Sequence, residues 1–472
     1  MLVPGTESSK QAVGTTASTA LRTIPYMPNE LPHVTEGAAQ VDHQLIRAMG
    51  VPTLTANIVN STIGAGIFVL PAAMAKGLGA AAPLAFLCCA IAMILFVTCF
   101  AIAGSRVSLT GGLYAYVEVA FGPYVGFLAG ILYCLTAICA VAGIVNVFVS
   151  SIASIVPALN NPALRIAVMA LVYGVLVVIN VRGVREGAGA VTVVTLAKLL
   201  PILLFVGVGV FFIHPSNLGW SVWPTSNSLG ENVVLLMFAF VGIEVALIPS
   251  GEVKNPARTV PRSIYLALAI TTVVYVMIQV VGQGTLGADL AKYEDAPLAE
   301  AALIFLGPIG RTILLAGATL SAFGFVTSDI LSSPRMIFAL GRDGSILIFS
   351  KWFAHVHRRY RTPDIAIYTY SLLAFILSVT GSFKQLALLS NVAVLLMYLL
   401  CFAACLLLLR RDTQGQQVFS FPGMKIVPVL AMIAAIWILA HATRREFAIN
   451  GLVLLVASLL YALNVLFKRR SA

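Results

Sequence analysis

The run from Ala48 to Ala75 contains no charged residue, and at about 1.5 Å of rise per residue it is long enough to cross a bilayer core of about 30 Å as a helix. Hydrocarbon offers no hydrogen bonds, so a crossing segment has to satisfy its own backbone groups. Yet residues 57–71 make a poor continuous helix. Gly64 and Gly66 flank Ala65, polar Asn57, Asn60, Ser61 and Thr62 come before them, and Pro71 follows. Each glycine costs about 1 kcal/mol of helix propensity. A break is therefore predicted in mid-membrane, where a cavity or a ligand must meet the freed groups. Secondary transporters hold substrate at such breaks, with a half-helix N-terminus aimed at an anionic group. The competing reading is that the small residues only allow close packing of another helix.

Charge explains why the rest of the chain has to follow the same logic. Charged residues make up 10% of the 472, against about 25% in soluble domains. The sequence predicts an all-α integral membrane protein with twelve transmembrane helices, at about 51–75, 80–104, 123–155, 164–182, 188–213, 232–250, 262–285, 307–338, 364–381, 386–409, 424–442 and 447–467. The third and eighth are long enough to tilt or protrude, and 291–306 reads as a short surface helix. Residues 1–46, rich in Ser, Thr, Pro and Gly without a signal-peptide pattern, read as a disordered cytoplasmic tail before the transporter domain 47–472.

The formal charge of +11 has no soluble basic domain to carry it, so nucleic acid is excluded as a partner. Topology accounts for it instead. With the N-terminus inside, 18 lysines and arginines fall in cytoplasmic loops and the C-terminus and 7 in the opposite loops, as the positive-inside rule requires. Both termini are expected on the cytoplasmic side of the cell membrane. The seven cysteines all lie in apolar runs; they show neither a disulfide framework nor metal-ligand spacing, and no metal or cofactor is expected.

A second interruption stands in the sixth span. Gly242 precedes Pro249 by seven residues, as Gly64 precedes Pro71. If helices 1–5 and 6–10 are two structural repeats (about 51–213 and 232–409, followed by helices 11 and 12 at about 424–467), both breaks open a repeat. Five helices per repeat is an odd number, so the repeats are inverted in the membrane. Paired interruptions of this kind point to a transporter's binding site. Lys198, ten residues into the fifth span, is too deep for its stem to reach water fully, and an intramembrane lysine is a functional candidate by default.

Four ordered motifs resemble the amino acid-polyamine-organocation (APC) superfamily of amino-acid permeases. Gly64-Ala65-Gly66-Ile67-Phe68 is similar to its G-x-G-I-F signature, and Gly111-Gly112-Leu113-Tyr114-Ala115-Tyr116 to its GG-x-Y-x-Y segment. The stretch Phe238–Glu244 running on to Gly251–Pro261 resembles the family's most recognisable segment, and Arg335-Met336 with Gly341-Arg342-Asp343-Gly344 the one after helix 8. The resemblance implies the leucine-transporter-type fold, with five-plus-five inverted repeats plus two C-terminal helices, and an amino acid or related amine as substrate. It places the substrate carboxylate on backbone N–H groups near Gly64, Ala65 and Gly66, with Thr62 and Ile63 beside them. The ammonium would meet free carbonyls around Thr62, Phe238, Ala239 and Val241, and Phe238 would lie over the substrate as a gate. It also implies that Lys198, like the helix 5 lysine of proton-coupled members, gains and loses the coupled proton; the competing reading is a static structural charge paired with backbone carbonyls. Glu244 would organise the second break or share in proton movement. Asp329 is expected to face Ser321, Thr327, Ser328 and Ser332 of its own helix, and Glu118 to lie near the cytoplasmic face; both read as structural.

The resulting expectation is amino-acid transport by alternating access, coupled to protons. An exchanger of the same family is the nearest rival, and Lys198 disfavours a dicationic amine as counter-substrate. An ion channel would need a filter loop, and a polytopic membrane enzyme clustered catalytic side chains at one face. Neither pattern occurs, so the chain reads as a transporter and not an enzyme. The apolar surroundings of Phe238 favour neutral amino acids.

Overall fold

The computed structural model describes residues 49–107, 112–183, 188–220, 222–244, 253–342, 344, 349–410 and 418–471. The tail at 1–46, Gly111, Pro249, Gly251, Glu252 and Asp343 lie outside the described residues. Helices account for the architecture, and the strand-like pairing among the described residues is one isolated bridge between Met49 and Val253.

The first span is two short helices, α1 (Val51–Thr62) and α2 (Leu70–Leu78), joined through a 3-10 turn at Ala65–Phe68. Next come α3 (Ala82–Arg106), α4 (Leu113–Phe121), α5 (Pro123–Ala153), α6 (Pro162–Val181), α7 (Ala188–Gly209) and α8 (Ser226–Phe240). After the second break the chain continues through α9 (Pro256–Leu286), α10 (Pro297–Ser332), α11 (Pro334–Arg342), α12 (Ser350–Phe353) and α13 (Asp364–Thr380). It ends with α14 (Phe383–Leu408), α15 (Val427–Ala440) and α16 (Arg444–Ser471). Prolines in the first turns of α1, α2, α3, α5, α6, α9 and α10 sit where no helical N–H bond is lost.

Among the described residues, seven helical stretches are long and apolar enough to cross a membrane, and three shorter apolar helices accompany them. Their outer faces suit lipid and not water: Leu171, Leu372, Ile433 and Leu452 are each more than half exposed. Inside, Phe96 and Phe100 of α3 interlock with Tyr398 and Phe402 of α14, with ring centroids 4.9–6.3 Å apart, and this aromatic wedge backs the second break. Of the short surface helix expected at 291–306, residues 297–306 are helical up to the kink at Gly307, with Leu303 and Ile304 exposed. A 3-10 segment, Gly287–Lys292, leads into the start of α10, whose Leu298, Ala301 and Ala302 are buried. Gly307, at φ +65°, then kinks α10, and Arg311 pairs with Glu300 across the kink at 2.7 Å.

Candidate functional site

The first break begins at Ile63, whose ψ of 85° leaves the helical region. In a continuous helix the Gly64 N–H would bond the carbonyl of Asn60. Here it turns back to the carbonyl of Thr62 at 2.8 Å, which frees the Asn60 oxygen. The Lys198 ammonium, reaching from α7, donates to that oxygen. The pairing has a second cause, because the C-terminal end of α1 carries the negative pole of the helix dipole. Lys198 is buried, with 9% of its surface exposed, so one intramembrane cation is spent on holding a half-helix end.

The second break follows Phe240. Val241 takes an extended ψ of 139°, and Gly242 has φ +106°, a conformation that disfavours any side chain. A β-carbon on Gly242 would stand 3.0 Å from the Ser61 carbonyl oxygen, so the two breaks touch through this glycine. Glu244 braces the segment: its carboxylate accepts the Gly242 N–H at 3.0 Å and the Tyr398 hydroxyl of α14 at 2.9 Å.

One side chain ties the breaks together. The Tyr275 hydroxyl of α9 lies 2.9 Å from the Thr62 carbonyl and 2.9 Å from the Ala239 carbonyl. A hydroxyl has a single proton, so it satisfies one of the two carbonyls at a time. The other is available to a donor such as an ammonium group.

Between the breaks lies a cavity of about 40 Å³, lined by Ser61, Thr62, Gly64, Ala65, Gly66, Ile67, Ala140, Ile144, Phe238, Ala239, Val241, Tyr275 and Phe325. At about 10–15 Å³ per water on this scale, it has room for roughly three waters, close to the bulk of a small polar molecule. Among the described residues, its walls carry no charged side chain. Phe238 closes one side: its ring comes within 3.0 Å of where a β-carbon of Gly66 would stand, and packs edge-on against Phe383 of α14 at 5.4 Å.

Seven of the eight residues expected to bind substrate thus meet at one cavity. Ile63 does not; it is buried in the core, and its N–H still completes the last turn of α1 by bonding Val59. Lys198 stands outside the lining, behind α1. Asp329 departs from expectation. Thr327 and Ser332 bond carbonyls of their own helix, as such residues commonly do. The Asp329 carboxylate instead accepts the hydroxyls of Ser333, at 2.7 Å, and of Tyr370 on α13. Glu118 of α4 packs against Gly126 beside the α4–α5 turn, away from the cavity. Sequence reasoning missed Tyr275, Ala140, Ile144 and Phe325. Tyr275 carried one signal, as a polar group deep inside an apolar span.

A helical bundle in which two broken segments meet at a small cavity, with outer faces fit for lipid, defines a membrane transporter. The chain belongs to the amino acid permease family of the APC superfamily, whose model matches residues 49–460. Among curated proteins it is similar to three from Bacillus subtilis (strain 168). It is 26% identical to the serine/threonine exchanger SteT, over 88% of this chain and 95% of that protein. To the branched-chain amino acid permease BcaP it is 25% identical, over 90% of this chain and 95% of that protein. To a methylthioribose transporter it is 28% identical, over 86% of this chain and 90% of that protein.

Proposed function

We propose that the protein is a proton-coupled symporter of small neutral amino acids, with twelve membrane crossings in a five-plus-five inverted repeat and both termini cytoplasmic. The substrate carboxylate binds the backbone N–H groups of Ala65 and Gly66, which open the 3-10 turn, and that of Gly64 once it leaves the Thr62 carbonyl. The ammonium binds the carbonyl of Thr62 or Ala239, whichever Tyr275 leaves free, with Val241 alongside, and Phe238 closes over the side chain. The uncharged walls and the size of the cavity support a small neutral substrate. Amino acids are substrates in the names of two of the three relatives.

The single observation that carries proton coupling is the bond from Lys198 to Asn60 at the end of α1. Charged, the lysine holds the half-helix; neutral, it has lost most of its hold on the helix dipole, and α1 is released. A proton moving through 100 mV supplies about 2.3 kcal/mol, roughly fifty-fold accumulation.

Exchange is the second reading, favoured by the similarity to SteT, which is named an exchanger. Uptake of labelled alanine, serine, threonine and leucine into proteoliposomes separates the two. The symport reading expects accumulation of the smaller substrates, driven by an inward proton gradient into vesicles without internal amino acid. Uptake that needs internal substrate and ignores the gradient would establish exchange instead.

A further inference from the structure

A basic segment between α11 and α13 lies apart from the transport site. Between Phe349 and Pro363 the chain carries Lys351, Arg358, Arg359 and Arg361 and no acidic residue, and all four cations are exposed. Arg358, Arg359 and Arg361 sit on a turn that is fixed in place. The His357 ring accepts the N–H groups of Arg359 and Tyr360 at 3.2 Å each. The His357 N–H bonds Thr362 at 2.8 Å, and the Arg361 N–H returns to His357 at 2.9 Å.

Those bonds hold Arg361 at φ +57°, a left-handed conformation costly for a residue with a side chain. Thr362 then anchors the turn to the last carbonyl of α6, Val181, at 2.6 Å, beside the exposed Arg182. Next to these cations is an apolar wedge. Phe349, Trp352 and Val356 are 41%, 56% and 40% exposed, and the rings of Phe349, Trp352 and Phe353 pack together at 5.9–6.3 Å.

We propose that this segment is a docking site for an anionic phospholipid, with the headgroup phosphate on Arg182, Arg358, Arg359 and Arg361 and the Phe349–Trp352 wedge in the interfacial region. A free phosphate would use the arginines and have no use for exposed rings beside them. A lipid offers negative charge and apolar surface side by side, the environment that interfacial tryptophan and juxtamembrane basic clusters favour. The ordered turn lowers the entropy lost on binding.

The test is the melting temperature of the full chain in nanodiscs of phosphatidylcholine, with and without phosphatidylglycerol. The wild type is compared with Arg358→Gln/Arg359→Gln/Arg361→Gln and with Arg444→Gln/Arg445→Gln, whose exposed cations lie at the opposite ends of α15 and α16. A rise with phosphatidylglycerol that the triple variant mostly loses and the double variant keeps supports the site. If the triple variant fails to fold, Trp352→Ser replaces it, with the same expected loss of the rise. The proposal is overturned by an undiminished rise in the variant, by equal loss in the Arg444/Arg445 control, or by an equal rise when inorganic phosphate is added to phosphatidylcholine discs.

Discussion

Tyr275 concentrates the chemistry of the site in one hydroxyl. Removing it takes the hydroxyl donor from the Ala239 carbonyl, while the Thr62 carbonyl keeps the Gly64 N–H, and an unmet buried acceptor costs about 1–3 kcal/mol. Tyr275→Phe is therefore expected to lower the melting temperature and to cut uptake at least tenfold, as measured by thermal unfolding and flux in parallel. A variant with wild-type flux would mean that the hydroxyl is dispensable. Two glycines make equally direct tests. A methyl on Gly66 enters the space of the Phe238 ring, so Gly66→Ala is expected to weaken substrate binding several-fold and Gly66→Val to abolish it, as read by competition against labelled substrate. Gly242→Ala meets both the Ser61 carbonyl and an unfavourable φ, and strain of that kind costs of order 1–3 kcal/mol. The glycines were legible in the sequence because their lack of a side chain is itself the signal. Tyr275 was not, because its role depends on which two carbonyls lie near it in space.

Among elements, the two interrupted spans are the parts that the sequence displayed best. Gly64 followed by Pro71 marks a stop and a restart, and the structure breaks at Ile63 and resumes in α2 with Pro71 in its first turn. The bracing of those breaks was less visible, since Glu244 is held by Tyr398, more than 150 residues away. Glu244→Gln keeps an oxygen for the Gly242 N–H and is expected to retain most stability, whereas Glu244→Ala loses the brace. In a double-mutant cycle, Glu244→Ala and Tyr398→Phe are expected to be non-additive by about 0.5–3 kcal/mol; additive losses would mean that the two side chains act separately. Asp329 shows why neighbours in sequence mislead inside a bundle. Thr327 and Ser332 of α10 turn to their own backbone, and the partner on a second helix is Tyr370, from α13.

At the level of the whole molecule, hydrophobic runs announced a helical membrane protein because lipid imposes a backbone constraint that water does not. Cavity size was not legible, since Ala140 and Ile144 of α5 and Phe325 of α10 reach the site only through packing. The proposed coupling would join these scales, from one ammonium through the end of α1 to the opening of the cavity. The measurement that bears on it most directly is transport by Lys198→Met in proteoliposomes, comparing accumulation under an inward proton gradient with counterflow between equal internal and external substrate. Lys198→Met is expected to keep counterflow within a few-fold of wild type and to lose gradient-driven accumulation. Accumulation by the variant equal to that of the wild type would contradict the proposal that Lys198 carries the coupled proton.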